Sequence, residues 1–439
     1  MSLGATAGAV FDIECGATQR PRALDAVLDG CKVLVCGINY APEYTGIAPY
    51  TTQACEYFAK LGADVLALTG VPHYPSWTVP DQYRRCWRSD ETHAGVQVRR
   101  LRHYVPSRQS AARRTAYEVT FGVRVVTQRL PWSPNVVVAV VPSLFGAVAA
   151  ARLAERHGAR LVVWVQDLMG LAAARSGIAG GSRIAALTGV MERWVLRRAD
   201  EVLVLNDAFR SHVERAGVPD ERVRLVRNWN HVPGSSSDRL SVRERLGWAD
   251  DEVVALHSGN MGLKQGLENV LAAARLAEGT KVRFVLMGDG NQRTWLQQGG
   301  QDVPTLSFLP PASREDFPDI LAASDVLLVS ERASALDMSL PSKLTSYFRA
   351  SVPVLAAVPA GGGTAHEIER AGAGRLVPPD DPQALLDGVQ ALVSDAAACL
   401  EYRARALKHV NENLSASSSL ARIALAMSAP HHPRREPGQ

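Results

Sequence analysis

The sequence predicts an α/β protein built as two parallel-sheet domains, and three observations carry that prediction. Short, almost wholly apolar runs such as Cys31–Ile38 (CKVLVCGI), Asn135–Val141 (NVVVAVV) and Arg160–Val165 (RLVVWV) read as strands buried on both faces, the mark of a parallel sheet. These runs alternate with longer segments at helical spacing, which is how βαβ units are written. The alternation breaks at Asn228–Ser237 (NWNHVPGSSS) and then restarts, and Pro, Gly and three consecutive serines are what a domain boundary looks like.

At 439 residues the chain exceeds one ordinary core, and two domains are expected. Hydrophobic residues at 46% and charged residues at 21% give the balance of a globular protein and exclude a disordered one. No apolar window reaches the roughly 18 residues of a membrane span. The first 30 residues lack a basic head and apolar core, so they are expected to be a loosely ordered extension rather than a secretory signal. Six cysteines lie scattered without CxxC spacing, which fits a reducing cytoplasm and offers no zinc site. Net charge is +4 but unevenly placed: residues 31–230 carry 26 Lys+Arg against 16 Asp+Glu, and residues 231–439 carry 20 against 24.

In order, the first half reads as strand Cys31–Ile38, a loop from Asn39 to Gly46, helix Ala48–Leu61, strand Ala63–Thr69 and a Pro- and aromatic-rich loop Val71–Pro80. A strand at Val96–Leu101, helix Ala111–Arg129, strand Asn135–Val141 and helix Phe145–His157 follow. Strand Arg160–Val165, helix Ser182–Ala199, and strands Glu201–Leu205 and Arg222–Val226 complete it. The second half places strands near Val253–His257, Lys281–Met287, Thr305–Leu309, Asp325–Val329 and Val352–Val358, with helices between. Helical patterns run from Pro382, and residues 426–439 are expected to be a disordered tail.

One stretch points to chemistry. The strand Val253–Leu256 empties through Ser258-Gly259-Asn260-Met261-Gly262 into a segment at helical spacing. Glycines let backbone approach a ligand, a helix start offers unpaired N–H groups and a positive dipole end, and Lys264 adds a full charge. The pattern reads as a diphosphate cradle, although a Gly-rich strand-to-helix turn also occurs in α/β proteins for purely structural reasons.

With these residues in view, the chain resembles the family 4 retaining glycosyltransferases, whose GT-B fold sets two Rossmann-like domains facing a central cleft. It looks most like their WcaI-type exopolysaccharide branch. The markers are GINYAPEYTGIAPYT (Gly37–Thr51), PHYPSW (Pro72–Trp77), VVPSLF (Val140–Phe145), VQDL (Val165–Leu168), RNWNH (Arg227–His231), HSGNMGLKQGLENV (His257–Val270), MGDG (Met287–Gly290) and LPSKLTSYFRASVPV (Leu340–Val354). The resemblance implies an N-terminal acceptor domain over residues 31–230 and a C-terminal nucleotide-sugar domain over 231–425, with the last helix crossing back. It also implies transfer of a sugar from a nucleoside-diphosphate sugar to a glycan or polyprenyl-linked acceptor, with no metal or other cofactor.

A metal-free transferase needs fixed positive groups where the diphosphate leaves. Lys264 is the leading candidate. The family places an Arg five residues before this Lys; here the loop is one residue shorter and Asn260 stands at that place. Lys343 would supply the second charge, with Ser342 capping its helix and Leu344 next along it. The family's pair of glutamates eight positions apart falls on Met338 and Ser346, so that motif is absent, and Asp337 or Glu331 is a substitute for the ribose contact. Gly259, Gly262, Gly288 and Asp289 would line the donor; Leu309, after Phe308, would mark the base-binding strand end. Gly-Asp-Gly is also an ordinary turn, and Phe308 also reads as core. Gly46 would leave room for the sugar, and Asp167 would orient the acceptor or cap the next loop. Front-face displacement is the implied retaining chemistry, with the protein contributing mainly positioning. The rivals are a nucleotide-sugar 2-epimerase on the same architecture and an inactive transferase-like partner.

Arg84–Arg114 holds nine arginines against Asp90 and Glu91, with Trp87 and Tyr104 interleaved. It is expected to give peripheral contact with an anionic inner membrane leaflet. Nucleic-acid binding is disfavoured because no recognisable module accompanies the charge.

Overall fold

A computed structural model describes residues 27–107, 110–168, 181–334 and 343–429. The described chain forms two compact units, one running to Val226 and resuming at Ser417, the other spanning Arg227–Ala416.

The first unit is an eight-stranded sheet of β1 (Lys32–Cys36), β2 (Asp64–Gly70), β3 (Arg88–His93), β4 (Val96–Leu101), β5 (Val136–Val141), β6 (Arg160–Val165), β7 (Glu201–Val204) and β8 (Val223–Leu225). Its order is β3-β4-β2-β1-β5-β6-β7-β8. The pairings are parallel apart from β3 against β4, which is antiparallel, with Arg88 opposite Leu101 and His93 opposite Val96. Sequence periodicity did not reveal β3, because RSDETH contains no apolar residue; it is an edge strand held by Arg99 on Asp90 and Arg100 on Glu91, each at 2.9 Å. Helices Ala111–Val126 and Leu144–His157 cross closely: a Cβ at Gly122 would stand 2.7 Å from the Phe145 carbonyl oxygen.

The second unit is a six-stranded parallel sheet of β9 (Val253–Asn260), β10 (Val282–Asp289), β11 (Leu306–Leu309), β12 (Val326–Ser330), β13 (Val354–Ala357) and β14 (Gly374–Val377), in the order β11-β10-β9-β12-β13-β14. Its core lies on both faces. Val254, Leu256, Val285, Met287, Leu327 and Val329 enter one cluster; Ala255, Phe284, Leu286, Val326 and Leu328 enter the other. Alternate residues of one strand thus bury on opposite sides, which is why these strands read as continuous apolar runs.

Several expected boundaries move. Residues 27–30 form a turn with Leu28 buried, so the N-terminal extension is anchored before residue 31. The unit boundary falls at Val226–Arg227: Arg227 faces Glu367 at 3.8 Å, and the Asn230 N–H donates to the Leu414 carbonyl at 3.1 Å. The final helix, Ala416–Ser428, joins the first unit from Ser417 on, as a last helix that crosses back would, and it runs past residue 426, where the tail was expected to begin. Arg160 donates to the Ala426 carbonyl at 3.2 Å and Arg422 to that of Leu225 at 3.3 Å.

Candidate functional site

In each unit the chain starts in the middle of its sheet and winds outward in both directions. The reversal lies between β9 and β12 in the second unit and between β1 and β5 in the first. Helices leave opposite faces at such a point, opening a crevice at the carboxyl ends of the strands, where ligands of these sheets bind.

At the second-unit reversal, β9 runs on through Ser258, Gly259 and Asn260, and its last pairs with β10 are Gly288 with Gly259 and Asp289 with Asn260. Two glycines face each other because the backbones nearly touch. A Cβ at Gly288, whose φ is +137°, would stand 2.0 Å from the Gly259 carbonyl oxygen. Gly288 is therefore needed for strand packing, whatever it offers a ligand. Asp289 is exposed and accepts the Gly290 N–H at 2.8 Å, an ordinary turn contact.

The cradle differs from the expected strand, turn and helix. After Gly262 comes a single 3-10 turn, Leu263–Gln265, and the α-helix begins only at Glu268. Gly266 at φ +55° closes that turn, and the Gln265 side chain accepts the Gly262 N–H at 3.1 Å. Lys264 is exposed on this turn, not in the first turn of a long helix, so the helix dipole does not reach it. Its carbonyl accepts the Arg332 N–H at 3.0 Å, tying the turn to the segment after β12.

Lys343 is held differently. It opens the helix Lys343–Ala350, and its amine is enclosed against β9: Nζ is 3.9 Å from where a Cβ on Gly259 would stand and donates to His257 Nε2 at 3.4 Å. Burial pulls its pKa down to about 8, with Glu331 acting the other way. Burial first, and then the Lys343 charge, hold His257 well below the usual imidazole range, so it stays neutral and accepts. Tyr347, one turn along, fixes this helix: its hydroxyl accepts the Ser258 N–H at 2.8 Å and donates to the Leu328 carbonyl at 3.3 Å. Glu331 accepts from the Thr364 hydroxyl at 2.7 Å at the start of helix Gly363–Ala371. His257, Tyr347 and Thr364 gave no separate sequence signal; His257 and Tyr347 sat inside quoted motifs, and only the register brought them to Lys343.

The other expected residues fare unevenly. Leu344 is fully buried in the core, so its side chain cannot line a ligand. Leu309 packs against that same cluster and Phe308 against the opposite one, leaving backbone at this strand end; the Leu309 carbonyl accepts from Arg293 at 3.3 Å. Ser342, Asp337 and Met338 lie outside the described residues. Ser346 is buried and donates to the Lys343 carbonyl at 2.8 Å.

In the first unit, Gly46 has φ +67°, and a Cβ there would meet the Tyr74 ring at 3.3 Å, so its glycine is explained by the fold. Buried Glu43 latches this loop to the next: it accepts the N–H groups of His73 and Tyr74 at 2.8 and 2.9 Å and the Asn39 amide at 2.8 Å. Asp167 accepts the Leu168 N–H at 2.8 Å, the loop-capping role. The basic stretch is largely paired. Arg84 meets Asp81, Arg88 and Arg99 meet Asp90, Arg100 meets Glu91, and Arg114 faces Glu118 at 3.8 Å; Arg108 lies outside the described residues. No described helix is long and apolar enough to cross a membrane.

Two α/β units wound alike, each with a glycine-bearing loop at its sheet reversal, define a two-domain, ligand-binding α/β protein, and the comparisons name its family. Residues 45–229 match the glycosyl transferase 4-like domain and residues 238–409 the glycosyl transferases group 1 domain. The chain is 34% identical to WcaI of Escherichia coli K12, named as a glycosyl transferase of colanic acid biosynthesis, over 72% of this chain and 80% of that protein. The chain belongs to this family of GT-B glycosyltransferases. Among solved structures, sucrose-phosphate synthase of Thermosynechococcus elongatus superposes with a TM-score of 0.72 at 16% identity, covering 90% of this chain and 98% of that one. Anabaena HepE, solved with UDP, superposes at 0.67 and 15% identity, covering 91% and 99%.

Proposed function

We propose that this glycosyltransferase moves a sugar from a nucleoside-diphosphate sugar to a glycan or polyprenyl-linked acceptor in exopolysaccharide or related glycoconjugate synthesis, with retention. The observation that carries the donor site is the enclosed Lys343 amine beside Gly259 at the β9/β12 reversal. A departing diphosphate gains charge in the transition state, and a cation already fixed there stabilises it without reorganisation. Lys343 supplies the fixed charge, and Lys264, on its exposed turn, supplies the charge that closes onto the ligand. This pair stands in for a Lys with an upstream Arg, a place taken by Asn260. Glu331 with Thr364 is the proposed holder of the sugar or ribose hydroxyls. Gly46 and Asp167 belong to the acceptor side of this reading. The protein's fixed cations do here the work a metal would do, so turnover is expected without added metal.

The relative's role in colanic acid synthesis and the UDP and UDP-glucose found in HepE support this reading of donor and product class. A cytoplasmic place is part of it, supported by the five described cysteines, all free thiols. The test is incubation of the full chain with labelled UDP- and GDP-sugars, with and without a lipid-linked saccharide fraction. Label transferred only when acceptor is present supports the proposal. Sugar converted without acceptor would make the chain an epimerase, and no conversion with any donor would make it an inactive partner.

A further inference from the structure

Three consecutive residues near the end of β9 are given over to the helix that Lys343 opens. His257 Nε2 accepts from the Lys343 amine at 3.4 Å, and the Ser258 N–H and hydroxyl both donate to the Tyr347 hydroxyl, at 2.8 and 3.1 Å. Gly259, exposed and at φ +115°, leaves that amine 3.9 Å from where a Cβ would stand. Ser258 and Tyr347 fasten strand to helix, and Gly259 leaves the amine open to a ligand. Packing does not account for His257. It follows the apolar run Val253–Leu256 and is 0% exposed, a place that an aliphatic side chain would fill in a strand covered on both faces. A buried imidazole costs free energy unless a partner takes its polar nitrogen, and the partner here is the Lys343 amine.

The charge balance explains why that partner is an imidazole. A carboxylate hydrogen-bonded to the amine would fix it but cancel the charge a diphosphate needs. Glu331, the carboxylate that acts on this amine from the segment after β12, is instead turned to the Thr364 hydroxyl, which it accepts at 2.7 Å. Burial and the neighbouring Lys343 charge keep His257 neutral. A neutral imidazole accepting through Nε2 carries its proton on Nδ1; it occupies one of the three N–H donors of the ammonium and leaves the other two, with the full positive charge, for a ligand. We propose that His257 is a positioning residue of the donor site: it holds the Lys343 ammonium in place against Gly259 before the nucleotide sugar arrives, and so sets how far into alkaline pH the donor is bound. A cation fixed in advance needs no reorganisation when the diphosphate departs. The inference rests on the proposed donor role of Lys343 and gives that role its orienting group.

The experiment titrates the full chain, His257→Leu, His257→Gln and Lys343→Met with UDP and with GDP across neutral and alkaline pH, and measures kcat and KM with whichever UDP- or GDP-sugar is turned over. In the unaltered chain, affinity should be level below about pH 8 and fall above it. His257→Leu removes the acceptor that favours the charged amine, so the fall should begin about one pH unit lower. Its kcat should drop about tenfold, with KM at neutral pH moving less. His257→Gln, whose amide oxygen can stand near the place of Nε2, should recover most of both. A merely structural histidine would lower the melting temperature and leave the alkaline limb where it is; that result, or a limb unmoved with kcat intact, overturns the proposal. Should His257→Leu fail to fold, nitrogen NMR of the histidine-labelled unaltered chain decides: an unprotonated Nε2 whose signal shifts at the midpoint of the limb supports the proposal, and a protonated Nε2 at neutral pH overturns it. Nucleotide binding lost in Lys343→Met but unchanged in His257→Leu at every pH overturns this inference alone, whereas full binding in Lys343→Met overturns the donor reading with it.

Discussion

Two lysines separate cleanly by environment. Lys264 sits exposed on a 3-10 turn, while the Lys343 amine is enclosed between Gly259 and His257. If both stabilise the departing diphosphate, Lys264→Ala and Lys343→Met should each lower turnover on the order of 100-fold with the folded state retained. Lys343 also carries a pH signature. Burial lowers the Lys343 pKa to about 8, so the free enzyme carries its charge below that pH and loses it above. Donor affinity should therefore be flat below about pH 8 and fall as pH rises beyond it, by up to tenfold per unit. Lys343→Arg, which stays charged, should remove that limb; kcat/KM against pH checks it.

Among the elements, the sheets were legible and their joints were not. Runs such as Val136–Val141 announce themselves because both faces are covered, whereas β3 hides in a polar stretch and is set by partner charges on β4. The 3-10 turn after Gly262 was equally hidden: GLKQGLEN looks helical, but Gly266 in the left-handed region and the Arg332 contact stop the helix from starting early. Lys264 and Lys343 were legible as charges near glycines; which one is enclosed depends on register between β9 and the helix at Lys343, and periodicity does not encode it. Two predictions belong here. Gly288→Ala would drive a Cβ into the Gly259 carbonyl, so it should cost about 2 kcal/mol or more and lower the melting temperature. Glu118, buried between helices and accepting the Ser143 hydroxyl at 2.8 Å, has its pKa pushed up to about 6 by burial. The folded state then binds this proton more tightly than the unfolded one, so stability should fall as pH rises from about 4.5 to 6, and Glu118→Gln should flatten that slope.

On the scale of the whole molecule, the chain leaves its first unit at Val226 and returns at Ser417. The RNWNH segment marks the outward crossing: Trp229 is fully buried and Asn230 bonds the carbonyl of Leu414. Membership of the family explains why two sheets with the same winding occur in one chain, and the second of them holds the donor in this account. The most direct test is a thermal-shift titration of the full chain with UDP, GDP and other nucleoside diphosphates, since a ligand that binds the folded state raises its melting temperature by mass action. The account predicts that at least one nucleoside diphosphate raises it and that Lys343→Met abolishes the rise. No shift with any of them, or an undiminished shift in Lys343→Met, would contradict it.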